Sequence, residues 1–290
     1  WDRAIGIIAK TLDALGDPDD AYFYTSGRAS NEAAYLWQLL ARQYGTNNLP
    51  DCSNMCHESS GVALNESIGI GKGTVRLEDF DKADLIVVVG QNPGTNHPRM
   101  LSALKSAKKS GASVLSINPL KETGMRRFRH PQSPIDMLGA GTQISDDHVD
   151  IKVNGDMALF RAIGSIILEK GVHDVDFINL NTTGFLDYAN IAQSVDWGLT
   201  EDLTGQSRDR IYEISDYFCR SKRTIVCWAM GITQHKNSVN TIREIMNVLL
   251  LKGDIGREGS GPCPVRGHSN VQGDRTVGIT HAPGKFFIAK

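Results

Sequence analysis

The sequence predicts an α/β protein built on a mostly parallel sheet. The run ADLIVVVG (83–90) is apolar throughout, as a parallel strand covered on both faces requires. Runs of this kind alternate with segments whose apolar residues recur at helical spacing, the signature of β-α-β units. No apolar run approaches the ~20 residues that a membrane-spanning helix needs, so none is expected.

The elements follow in order. RAIGIIAKTLDAL reads as a helix and AYFYTS as a strand. SNEAAYLWQLLARQYG has Ser30 to cap its first turn, an apolar stripe, and Gly45 as a stop. GVALNESIG is a further helix-like run. After ADLIVVVG come HPRMLSALKSAKKSG (helix) and ASVLSINP (strand), a β-α-β unit expected to cross over right-handedly. MALFRAIGSIILEKG, DRIYEISDYFCRS and VNTIREIMNVLLLKG read as helices, with the strand RTIVCWAMG before the last. Between Arg126 and Asp147 the pattern lapses into a Pro/Gly-rich loop, long enough to be functional.

Composition narrows the function. With 290 residues, 40% hydrophobic and 22% charged, the chain is an ordinary globular protein. Its net charge of −2 argues against a nucleic-acid partner. Five cysteines are an odd number and too sparse for a disulfide framework, which predicts a reducing, cytoplasmic setting. The C-x3-C of Cys52 and Cys56 lacks the partners of a structural zinc or iron–sulfur site. The chain opens at Trp1 without a methionine and closes on GKFFIAK, so a segment of a longer polypeptide is expected.

In open α/β sheets ligands gather at the carboxyl ends of the strands. The segments there are GQNPGTNHP, NPLKETG and MGITQH, rich in small residues, amides and exposed backbone suited to a nucleotide. None is a phosphate-binding G-x-x-x-x-G-K-[ST] loop. The late stretch GREGSGPCPVRGHSNVQG is dense in donors and poor in apolar bulk, so it is expected to order around a polar ligand. Within SNMCHESSG, Cys56, His57 and Glu58 are consecutive. Residue chemistry alone leaves three readings open: a nucleophile, a metal ligand, or a structural accident.

Taken together, TSGRASNEAAYLWQLLARQYGTNN, CHESSG, ADLIVVVGQNPGTNHP, DIKVNGDMALF, WAMGITQH and PVRGHSNVQG stand in the order found in molybdopterin oxidoreductases. The chain most resembles formate dehydrogenase alpha subunits and their FdhF/YdeP-like sister clade, over nearly its whole length. The resemblance implies two Rossmann-like αβα subdomains: residues 1–50 as part of a first domain, 51–245 as a second, dinucleotide-binding one, and 246–290 as a return segment with a pterin-binding loop. It implies a molybdenum or tungsten ion held by two molybdopterin guanine dinucleotides, two-electron chemistry on a small-molecule substrate, and a redox partner subunit. A [4Fe–4S] cluster would lie outside this chain, which would hold the middle two of four domains and not turn over alone.

By the same matching, Cys56 is the metal ligand and His57 the proton acceptor. A soft thiolate suits a sulfur-bound high-valent metal, and an imidazole titrates near neutrality. Arg243 falls where formate dehydrogenases place a substrate-facing arginine. Gly90, Asn92, Thr95 and His97, joined by Asn118 and Lys121, would line one dinucleotide, and Asp156 would accept from its guanine edge or ribose. Met230, Gly231, Thr233 and Gln234 would contact the pterin dinucleotide, as would Arg266, His268, Asn270 and Gln272.

Two departures stand out. His57 is followed by Glu58, Ser59 and Ser60 rather than Gly-Pro-Ser, and a carboxylate beside the metal would repel an incoming anion. The 126–147 loop also exceeds its formate dehydrogenase counterpart. The alternatives are a thiol hydrolase or transferase with Cys56 as nucleophile, and a non-catalytic nucleotide-binding module.

Overall fold

The computed structural model describes residues 1–50 and 52–280; the terminal GKFFIAK run lies outside them. The chain divides into two compact units, Ser59–Gly267 and the pairing of Trp1–Glu58 with the segment from His268 onward.

The Ser59–Gly267 unit is a three-layer αβα structure around one sheet. Its strands are β1 (Leu85–Val89), β2 (Ser113–Ile117), β3 (Asp147–Val149), β4 (Thr224–Trp228) and β5 (Gly261–Pro264). They lie in the order β3-β2-β1-β4-β5, and every pairing is parallel. The expected α/β architecture is borne out.

All five residues of β1 are buried, and they serve both faces. Leu85, Val87 and Val89 enter one core with Val226 and Trp228 of β4 and the helices Asp156–Glu169, Arg208–Arg220 and Ser238–Leu251. Ile86 and Val88 enter the opposite core with Ile225 and the helix Pro98–Lys109. Period-two alternation thus feeds two hydrophobic layers, at ~1.5–3 kcal/mol for each large side chain fully buried. Inside the first layer the Trp228 indole N–H donates to Ser60 Oγ at 3.0 Å, so the largest buried side chain has its polar atom satisfied.

β5 reads Gly-Pro-Cys-Pro, which no strand propensity favours. It forms because it is an edge, paired to β4 alone, where proline is tolerated.

In the other unit the helix Asn31–Tyr44 begins and ends where its capping residues dictate. Ser30 Oγ accepts from Ala33 N at 3.3 Å, and Gly45 closes the helix at φ +113°. The helix Asp2–Asp13 also matches expectation. AYFYTS forms no strand among the described residues: Thr25 makes a single β-bridge, and Phe23 N donates to Asn48 O at 2.9 Å. Phe23 instead packs with Ala34, Ala41, Leu49 and Ile279 in a small core. Among the described residues no helix is long and apolar enough to cross a membrane.

Candidate functional site

The strand order places a topological switch point between β1 and β4. The chain leaves β1 for β2 on one side and returns as β4 on the other, which opens a crevice at the carboxyl ends. Two of the segments singled out in the sequence meet there. Gly231 N donates to Gly90 O at 3.0 Å. A Cβ on Gly231 would lie 2.5 Å from Gly90 O, and one on Gly90, at φ +56°, would lie 2.8 Å from the Gly231 carbonyl carbon. Only two glycines permit this backbone crossing.

A second glycine contact ties in the segment after β2: a Cβ on Gly124 would lie 2.8 Å from Gly94 Cα. Glu122 braces it. Its carboxylate accepts from Asn92 Nδ2 at 2.7 Å and Asn118 Nδ2 at 3.5 Å. Asn92 Oδ1 in turn accepts from Thr95 N at 3.1 Å, capping the short helix Pro93–Asn96. Lys121 is exposed and pairs with Asp150 at 3.5 Å.

Several buried polar atoms here lack a partner among the described residues: Gln91 Oε1, His97 Nε2 and Thr233 Oγ1. Burial holds His97 below the usual histidine range, against a hydrogen bond with the Arg266 backbone. Asp156 is buried, and its desolvation raises it to about 6, opposed by its own backbone N–H and by the nearby His235. The His235 ring contacts Gly231 O at 2.7 Å, linking this carboxyl's surroundings to the glycine crossing. Met230 and Gln234, on either side of Thr233, are exposed.

Arg243 is half-exposed on the helix Ser238–Leu251, where it binds Glu66 through two guanidinium nitrogens and Asn240 Oδ1 at 2.9 Å. In the other unit, Cys56 ends the short helix Ser53–Cys56 and His57 follows it; their exposures are 5% and 1%. Cys52 Sγ accepts from Gly27 N at 3.2 Å. Glu58 is paired with Arg275 at 2.7 Å. Asn270 spends its side-chain amide on Ala29 O at 2.8 Å and Asn31 Oδ1 at 2.9 Å. His268 is partly buried with Nδ1 unpartnered, while Gln272 is exposed.

Sequence reasoning missed Glu122, Gln91, His235 and Arg275. The first three lie within or beside the quoted segments. Arg275 is 217 positions from its partner, and nothing local marks it.

The unit is a doubly wound α/β protein with a glycine crossing and orphaned polar atoms at its switch point, where ligands of such sheets gather. The family model for molybdopterin oxidoreductase matches residues 1–285, and the chain belongs to that family. It is 52% identical over its whole length to an uncharacterized oxidoreductase of Mycobacterium tuberculosis H37Rv, covering 38% of that protein. It is 46% identical to protein YdeP of Escherichia coli K12, again over all of this chain and 40% of the relative. Against formate dehydrogenase H of the same organism it is 31% identical, over 96% of this chain and 37% of the other. Acetylene hydratase from Pelobacter acetylenicus shares the fold at a TM-score of 0.69 and 18% identity, over 90% of this chain and 33% of that one. The chain therefore spans about two-fifths of the length of the curated relatives it matches.

The family implies a molybdenum–pterin cofactor, and the residues at the switch point fit its polar portion. Gln91, His97, Thr233 and Asp156 supply buried polar atoms of both kinds, and the paired glycines leave backbone open to close approach. Family membership favours redox chemistry over a thiol hydrolase or a non-catalytic module.

Proposed function

We propose that this chain is part of the catalytic subunit of a molybdenum oxidoreductase of the formate dehydrogenase type, using two molybdopterin guanine dinucleotides. The observation that carries the reading is the Gly90–Gly231 crossing, with unpartnered polar atoms gathered beside it in a chain of this family. Bound, the cofactor would supply two-electron redox chemistry at the metal.

The protein's own contributions follow from residue chemistry. Gly90, Asn92, Thr95, His97, Asn118 and Lys121 would hold one dinucleotide, with Glu122 fixing both asparagines. Asp156, ionised, accepts from N–H or O–H groups, which suits a guanine edge or ribose. Met230, Gly231, Thr233 and Gln234 would hold the pterin dinucleotide, together with Arg266, His268, Asn270 and Gln272. Cys56 would be the protein's ligand to the metal, and His57 would take the substrate's proton on a ring nitrogen. Arg243 would exchange Glu66 for a carboxylate substrate. One αβα domain would bind dinucleotide, and the chain's first and last segments would form part of another domain. Electrons would pass to a redox partner subunit of the cytoplasmic holoenzyme, through a [4Fe–4S] cluster if the complete polypeptide carries one.

The test uses the full-length protein. Molybdenum and acid-released guanine nucleotide are expected at a ratio of two nucleotides per metal. Cys56→Ala should abolish turnover with the circular dichroism spectrum unchanged. Full activity in that variant, or stoichiometric alkylation of Cys56 by iodoacetamide in a metal-free active protein, would replace this reading with the thiol one.

A further inference from the structure

Residues 99–130 carry eight Lys and Arg against one acidic residue, Glu122, in a chain whose totals are 31 and 33. Positive charge is thus concentrated on one segment of a slightly anionic protein. Some of it is answered internally: Lys105 pairs with Asp136, Lys108 with Asp146 and Lys121 with Asp150. Arg126, Arg127 and Arg129 are exposed and pair with no carboxylate among the described residues.

These arginines are displayed on a built platform. Phe128 and Thr142 form an antiparallel bridge, each N–H donating to the other's carbonyl at 2.8 Å. The base is anchored by the buried Met125 and Ile144, with Ser145 N donating to Met125 O at 2.9 Å. In this extended stretch side chains alternate, so Phe128 packs on the core while Arg127 and Arg129 share the other face. Their stems flank Gly141: a Cβ there would lie 2.9 Å from Arg129 Cγ and 3.2 Å from Arg127 Cγ. Two exposed arginines thus rise from one face with no carboxylate partner among the described residues, an arrangement that an incoming anion stabilises. Two apolar side chains on the same stretch of chain are exposed, Leu120 at 68% and Leu138 at 93%.

We propose that this bridged loop is a docking surface for an acidic protein partner. Arginine with exposed apolar anchors is the composition of a protein interface, and the guanidinium fork matches surface carboxylates. The negative balance of the rest of the chain disfavours a nucleic acid, whose phosphates extend well beyond one loop. The inference is independent of the reaction at the metal.

Fluorescence anisotropy of a fluorescein-labelled Glu-rich peptide with interspersed Leu, titrated with the full-length holoprotein, tests it. Saturable binding is expected, weakening as salt rises and falling at least about tenfold in the R127E/R129E variant, with partial recovery in R127K/R129K. Molybdenum content and thermal midpoint should not change. Equal binding by wild type and R127E/R129E would overturn the proposal. So would tighter binding of a single-stranded oligonucleotide of equal charge, which would assign the surface to nucleic acid. Loss of molybdenum from the variant would also overturn it, because the arginines would then be serving the cofactor.

Discussion

Arg275 holds the carboxylate of Glu58 at 2.7 Å, one residue beyond His57. The acidic residue beside the Cys56–His57 pair is therefore charge-compensated. Arg275 Nη2 also lies 3.3 Å from Asn54 Oδ1, so one guanidinium bonds to both ends of the NMCHE segment.

Because both partners are roughly two-fifths exposed, the pair should contribute little to stability. Arg275→Ala is expected to shift the urea midpoint of the full-length protein by less than about 1 kcal/mol equivalent. Its effect on an anion should be larger. With formate as a test anion, Arg275→Ala should weaken binding and Glu58→Gln should strengthen it, read by isothermal titration calorimetry.

At the glycine crossing the obstacle to a side chain is backbone, which cannot swing aside. Gly231→Ala should cost ~1–3 kcal/mol through forced separation of the two loops, measured by denaturant unfolding. Bound molybdenum per protein should fall with it.

Asp156 titrates at about 6 in the fold against 3.8 for the free group. A carboxyl whose folded value is raised binds more protons when native than when unfolded, so stability falls as pH rises between the two values. The loss is of order 2–3 kcal/mol and is complete above pH ~6. Asp156→Asn should flatten the stability profile across that window and be the more stable protein at pH 7. Chemical denaturation at pH 4.5, 6 and 7 reads the difference. If Asp156 serves the proposed guanine dinucleotide, retention of the nucleotide should run the opposite way and strengthen with pH, because only the ionised carboxylate offers two charged acceptors and no competing O–H.

Glu244 is buried on the helix Ser238–Leu251 and accepts from Arg161 Nε at 2.8 Å and Nη2 at 2.6 Å. Arg161→Ala strands a buried charge and should destabilise by ~3–5 kcal/mol. Arg161→Ala combined with Glu244→Leu should recover most of it in the same unfolding assay.

Much of this fold was legible along the chain because its determinants are local. The caps of Asn31–Tyr44 and the five apolar residues of β1 each act through immediate neighbours. The failures are non-local. β5 looks like a turn until β4 is there to pair with it, and AYFYTS has strand composition but makes only a single bridge, at Thr25. The site divides the same way. The segments at the strand ends were visible, and two of them meet. Glu122, which binds Asn92 across 30 positions, and Arg275 were not, because their roles exist only once the chain has folded.

The two prolines of β5 have a consequence for self-association. Val265 N donates to Trp228 O at 2.8 Å, so alternation turns the nitrogens of positions 262 and 264 outward, and proline leaves both without a hydrogen to offer. The carbonyl of Pro262 already accepts from Thr74 N at 3.2 Å. A foreign strand arriving at this margin would find neither donors nor that acceptor, so the margin is closed to amyloid-like growth and to runaway polymerisation.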